Sequence, residues 1–183
     1  TPRQVAFDVD SAATFSPDGK RACFRRGIIE TSADSLVVID IESGKERPLV
    51  RGEKPEAFTG SPTWSPDGRT IAAGIQSAAG GFKSWLVAID AETGAASRIG
   101  NRTWLVLGGA RWTPDGRALL VSALDMAAGG AYQLHRVAYP GGETVRLTND
   151  LDGYTNVDVP ADGASVAAIR RVNVDNLWVA RPG

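Results

Sequence analysis

Phe15-Ser16-Pro17-Asp18-Gly19-Lys20, Trp64-Ser65-Pro66-Asp67-Gly68-Arg69 and Trp112-Thr113-Pro114-Asp115-Gly116-Arg117 are variants of one hexapeptide, and Val159-Pro160-Ala161-Asp162-Gly163-Ala164 is a weaker fourth copy. From Asp to Asp, at positions 18, 67, 115 and 162, the spacings are 49, 48 and 47 residues. So regular a period marks a repeat architecture. Within each copy the proline fixes φ, and Asp-Gly supplies positive-φ geometry. Pro17, Asp18 and Gly19, Pro66, Asp67 and Gly68, Pro114, Asp115 and Gly116, and Asp162 and Gly163 therefore read as structural turns between antiparallel strands. In such a turn the Asp bonds its own backbone, so its repetition argues for structure and not for a cation site.

Working outward, each copy is followed by an apolar or alternating run, at 21–24, 70–73, 118–121 and 165–169, which predicts a strand. Phe15, Trp64 and Trp112 end the strand before the turn, and Trp64 and Trp112 read as packing residues. Further on, Leu36-Val37-Val38-Ile39-Asp40 leads to Glu42-Ser43-Gly44, and Trp85-Leu86-Val87-Ala88-Ile89-Asp90 leads to Glu92-Thr93-Gly94. Corresponding strands run over 134–139, before Pro140-Gly141-Gly142, and over 177–180, before Arg181-Pro182-Gly183. One more short strand follows each of the first three turns, near 47–50, 97–99 and 144–147.

Four antiparallel strands per 40–50 residues, with no helical 3.6-residue period, predict an all-β fold, a β-propeller of four-stranded blades. A sandwich gives short strands too, but does not require one turn sequence at a fixed long period. The whole chain, 1–183, reads as one propeller domain or segment, with repeats at about 8–50, 58–100, 106–148 and 154–183. Pro182-Gly183 matches Pro140-Gly141, so the fourth repeat is expected to lack its outermost strand. Residues 3–7 precede the first repeat as 46–50 precede the second, and are expected to be able to close a ring by pairing with the last blade. The alternatives are a partial propeller of a larger ring, or two chains that complete an eight-unit ring as a homodimer.

Composition excludes several function classes. Twenty Lys and Arg against 21 Asp and Glu leave a net charge of −1, so no global field attracts nucleic acid or an anionic membrane. No apolar run has the roughly 20 residues of a membrane helix, so direct membrane insertion is not expected. Cys23, the single cysteine, rules out an internal disulfide and reads as a buried strand residue.

The phrase Ser-Pro-Asp-Gly-Lys/Arg after Trp or Phe, an apolar strand, and then Ile-Asp-x-Glu-Ser/Thr-Gly resembles the WD-like repeats of TolB-type propellers over nearly the whole chain. Residues 60–68, 139–143, 146–150 and 176–180 look like the propellers fused to bacterial serine/threonine protein kinases. That resemblance implies a sensor or interaction domain of a larger bacterial protein, placed extracytoplasmically or in the periplasm. Related repeats form the non-catalytic propeller of prolyl-oligopeptidase-like peptidases, which implies a regulatory segment as the alternative.

The side chains available predict no enzyme, no cofactor and no metal. His135 is the single histidine, set between Leu134 and Val137 in a strand, and no Gly-x-Ser-x-Gly elbow or kinase glycine loop is present. Asp150 and Asp152 lie in Asn149-Asp150-Leu151-Asp152-Gly153, which resembles only the start of a calcium loop and reads as an inter-blade turn. Arg102 and Trp104 lie in a segment joining two blades, past which a ligand would run. These four are the candidate contact residues for a protein or peptide partner. The glycine-rich stretches at 78–81 and 127–130 lack a following helix or Lys-Ser/Thr and read as hairpin tips.

Overall fold

The computed structural model describes residues 2–28, 33–125, 130–172 and 178–179. Its first sheet orders β1 (Thr14–Phe15), β2 (Arg21–Ile28), β3 (Ala33–Asp40) and β4 (Glu46–Arg51) as they run in the chain. The second does the same with β5 (Glu56–Trp64), β6 (Thr70–Ser77), β7 (Lys83–Asp90) and β8 (Ala96–Arg98). The third follows with β9 (Val106–Trp112), β10 (Ala118–Leu124), β11 (Tyr132–Ala138) and β12 (Thr144–Arg146). The fourth holds β13 (Gly153–Asp158) and β14 (Ala167–Arg171). Of the strand expected over 177–180, positions 177 and 180 lie outside the described residues and 178–179 are in no strand; most of the hairpin tip at 127–130 also lies outside them.

The sheets stack face to face because their middle strands are apolar on both faces. Ile71, Ala73 and Ile75 of β6 join Cys23, Leu36 and Val38 of the first sheet in one core. Their neighbour Ala72 joins Leu119, Val121 and Trp112 of the third sheet in the next. Side chains of a strand alternate in direction, so a wholly apolar run serves two interfaces at once. The first strands β1, β5, β9 and β13 adjoin one another and form the inner edge. The result is an open arc of an all-β propeller.

The repeated hexapeptide makes the turn between the first and second strand of every sheet. The Gly19, Gly68 and Gly116 amides donate to the carbonyls of Ser16, Ser65 and Thr113 at 2.8, 2.9 and 2.9 Å. Positive φ falls on the glycine alone, at 70°, 71° and 66°, and not on the Asp beside it. Each Asp accepts from the hydroxyl two residues before it, Ser16 to Asp18, Ser65 to Asp67 and Thr113 to Asp115, at 2.6 Å in all three. It also accepts the amide two residues after it, from Lys20, Arg69 and Arg117 at 3.0–3.1 Å. In the fourth copy Pro160 replaces the hydroxyl residue, and Asp162 keeps the amide of Ala164 at 2.9 Å.

These hydroxyl bonds, with the amide bonds second, hold the carboxyls of Asp18, Asp67 and Asp115 below their ordinary value of 3.8. A depressed folded value adds stability above the unfolded value, and that stability is lost as pH falls through the folded one. The urea midpoint should therefore hold above about pH 5 and fall below about pH 4. The triple variant Asp18→Asn, Asp67→Asn, Asp115→Asn should show a shallower acid limb. Equal acid slopes in the two proteins would remove the turn carboxylates as its cause.

Successive turns also nest. A β-carbon on Gly68 would lie 3.4 Å from Cδ of Pro17, one on Gly116 3.7 Å from Cδ of Pro66, and one on Gly163 3.3 Å from Cγ of Pro114. Each glycine thus rests on the proline of the sheet before. Phe15, in the first of the described sheets, is 60% exposed, whereas Trp64 and Trp112 at the same repeat position are each 6% exposed.

Residues 3–7 differ from the ring-closing strand expected of them. They are in no strand and lie against the first sheet, with Val5 and Ala6 packed on Ala22, Phe24, Val37 and Ile39. The Arg3 guanidinium donates to the carbonyls of Ile41 and Glu42. Arg47 of β4 does the same to the next sheet, donating to Ala91 and Glu92 at 2.9 Å each. The segment therefore sits on the first sheet much as β4 sits on the second, and no described strand of the fourth sheet pairs with it.

Candidate binding surface

Antiparallel pairing decides which loops share an end. Arg21 opposes Asp40, Thr70 opposes Asp90 and Ala118 opposes Ala138, so the hexapeptide turns and the turns after the third strands emerge on one side of the arc. The inter-sheet connections emerge on the other.

On the first side an inner cleft of about 330 Å³ crosses the sheets. Phe15, Pro17, Pro66, Trp112 and Pro114 line it with rings, and Arg111 adds a cation that stands 3.5 Å from Asp158. Farther out a second cleft, of about 380 Å³, is lined by Arg21, Asp40, Lys45, Arg47 and Glu92. The Arg21 guanidinium lies over the Trp64 ring, 4.9 Å from its centroid, and meets the Glu92 carboxylate of the next sheet at 2.5 Å. Asp40 is engaged by its own turn, accepting from the Ser43 hydroxyl at 2.6 Å and the Ser43 amide at 2.8 Å. Those bonds lower its carboxyl from the ordinary 3.8 and keep it charged.

The four contact residues expected from the sequence lie on the opposite side. Arg102 is half exposed and pairs with Asp125, which follows β10. Trp104 is buried, at 4% exposure, and its backbone exchanges bonds with Ser84 at 2.7 and 2.9 Å. Its ring meets His135 edge-on at 5.9 Å. The connection containing Trp104 adds a bridge to β7, which turns the indole inward. Trp104 is thus a packing residue and offers no face to a ligand, a correction to its reading as a contact. Asp150 accepts from the Tyr154 hydroxyl at 2.7 Å and from the Asp152 amide at 3.1 Å, and the Asp152 carboxylate pairs with Arg170. Gln133 donates to the carbonyls of Asp150 and Asp152 at 3.2 and 2.9 Å, which fastens this turn to β11. Among the described residues no group of three His, Cys, Asp or Glu is placed to hold a metal ion.

His135 is buried, with Nδ1 3.2 Å from the Gln133 carbonyl, which fixes the proton on that nitrogen. Burial first, then the Arg102 and Arg146 charges, lower its pKa against the bond to Gln133, so the ring stays neutral. Cys23 is buried among apolar residues, which pushes its thiol up to about 12 and leaves it inert. Asp34 was not singled out by any motif. It is 6% exposed, accepts the Phe58 amide at 2.7 Å and so ties the first sheet to the inner strand of the second. Burial raises its carboxyl, against the Phe58 bond and the Arg25 charge. A lone Asp opening an apolar strand, Asp34-Ser35-Leu36, is the signal that could have found it.

No family model matches the sequence. Over 114 residues the chain is 31% identical to a protein of Bacillus subtilis (strain 168) named uncharacterized peptidase YuxL, covering 59% of this chain and 16% of that one. Among solved structures it resembles TolB from Acinetobacter baumannii, with a TM-score of 0.72 and 24% identity over 90% of this chain and 38% of that one. It also resembles a putative TolB from Agrobacterium tumefaciens, with a TM-score of 0.68 and 20% identity over 92% of this chain and 60% of that one. The chain thus has the TolB-like propeller fold and spans less than two thirds of each of these proteins.

Proposed function

We propose that this chain is the non-catalytic part of a propeller that docks a protein or peptide on the side carrying its repeated turns. The observation that carries this reading is the inner cleft, where rings from Phe15, Pro17, Pro66, Trp112 and Pro114 form one continuous wall across the sheets. Rigid aromatic and proline surfaces bury area at low entropic cost, as peptide-docking surfaces do. The ring is completed by further blades or by a second copy. The receptor-kinase setting and the extracytoplasmic placement belong to this proposal and rest on the resemblance of residues 60–68 and 139–150 to kinase-linked propellers.

The test is panning a displayed peptide library against the full-length protein, followed by amide exchange with the best peptide bound. Slower exchange should appear at 16–19, 65–68 and 113–116. Protection confined to the connections near Arg102 and Asp150 would overturn the choice of face, and a library that yields no binder would overturn the reading. A second reading, the propeller segment of a peptidase, is favoured by the likeness to YuxL. It predicts hydrolysis of peptide substrates by the full-length protein and a nucleophile elbow outside these residues.

A further inference from the structure

We propose that the outer cleft between the first two sheets is a carboxylate-recognition site, and that the partner segment docked on this side is acidic. The inference rests on the docking reading above and names the partner's chemistry.

Three observations carry it. First, the cations are peculiar to this cleft. By strand register Arg21, Lys45 and Arg47 correspond to Thr70, Ala95 and Ser97 in the next repeat, where the same turns and strands form without charge. The turns and strands here do not need the charges of Arg21 and Lys45. Second, two of them are pre-set: Arg21 rests on the Trp64 ring, and Arg47 is held by the Ala91 and Glu92 carbonyls. Held guanidiniums lose little entropy when they take a ligand. Third, the chain already places a carboxylate on this site. Glu92 reaches across the sheet boundary to Arg21 while its side chain stays 71% exposed. Exposed ion pairs add little net stability, so a ligand carboxylate replaces Glu92 at small cost. Asp40, locked in its own turn, does not compete for the cations.

The arrangement is an anion site with its own internal competitor. A partner carrying two or more carboxylates takes Arg21 and Lys45 together, and Glu92 swings into water. Binding is ionic-strength dependent, because the site is open to solvent.

The experiment uses the full-length protein and a fluorescent hexaglutamate peptide, with hexaglutamine and inorganic phosphate as comparisons. Hexaglutamate should bind, hexaglutamine should not, and affinity should fall as salt is raised. Glu92→Gln should bind about threefold to tenfold tighter, and Arg21→Gln with Lys45→Gln about tenfold weaker or worse, the scale of a lost charge-assisted bond. Arg47 is left unchanged because it fastens the second sheet. The opposite sign at Glu92 separates recognition from damage to the fold. Equal affinities in all three proteins, or loss in Glu92→Gln as well, overturns the site. Competition by phosphate at concentrations comparable to those of the peptide overturns the assignment to carboxylates. Library peptides that dock on the turns but ignore Arg21 and Lys45 overturn this inference and leave the docking reading standing. The absence of any docking peptide overturns both.

Discussion

Trp112→Ala should lower stability by about 3–5 kcal/mol, the range for deleting a large buried aromatic. Trp112 is 6% exposed, donates from Nε1 to the Thr63 carbonyl at 3.1 Å and meets Tyr139 edge-on at 4.8 Å. It therefore joins the second sheet to the third by packing and by a directed bond. The milder Trp112→Phe keeps most of the area and loses the bond, a loss of about 0.5–1.5 kcal/mol. Trp64 occupies the same repeat position with the same burial, but its Nε1 has no hydrogen-bond partner. Trp64→Phe should cost less than Trp112→Phe. Urea unfolding of the three variants checks this order, and equal losses for the two Phe variants would show that the indole bond adds nothing.

Gly94→Ala should be nearly as damaging, at about 3 kcal/mol or more, while Gly44→Ala should lose only about 1–2 kcal/mol. The two glycines occupy one repeat position and share a left-handed backbone, with φ of 76° and 70°. Their surroundings differ. A β-carbon on Gly94 would stand 2.2 Å from the Leu49 carbonyl oxygen, whereas one on Gly44 would meet nothing within 4 Å. Conformational strain is common to both, and the backbone collision belongs to Gly94 alone. Thermal or urea midpoints of the two variants measure the difference directly. Equal shifts would mean that β4 yields to the added carbon without cost.

Much of this architecture is legible in the residues. The four turns, and the division of the first three repeats into strands, follow from proline, Asp-Gly and apolar runs, which act through bonds within a few residues of one another. β6 extends to Ser77 although its most apolar stretch ends at Ala73, because Gly74, Ile75 and Gln76 continue the ladder with β7. What joins one repeat to the next is harder to read. Trp104 looked like a surface aromatic in a connection, and its burial comes from a bridge to Ser84, 20 positions away. The Glu92 carboxylate meets Arg21 across 71 positions, and no local pattern announces such a pair. Local chemistry writes the blade, and the spacing between blades writes the clefts.

Arg3 and Arg47 seat outer segments in the same way, one on the first sheet and one on the second. In both places an arginine grips two turn carbonyls, and an apolar residue two positions later, Val5 or Leu49, drops into the core of the receiving sheet. On the third sheet the same place in β8 is Ser97, and Ile99 alone enters the core, so the apolar residue seats the segment and the arginine reinforces it.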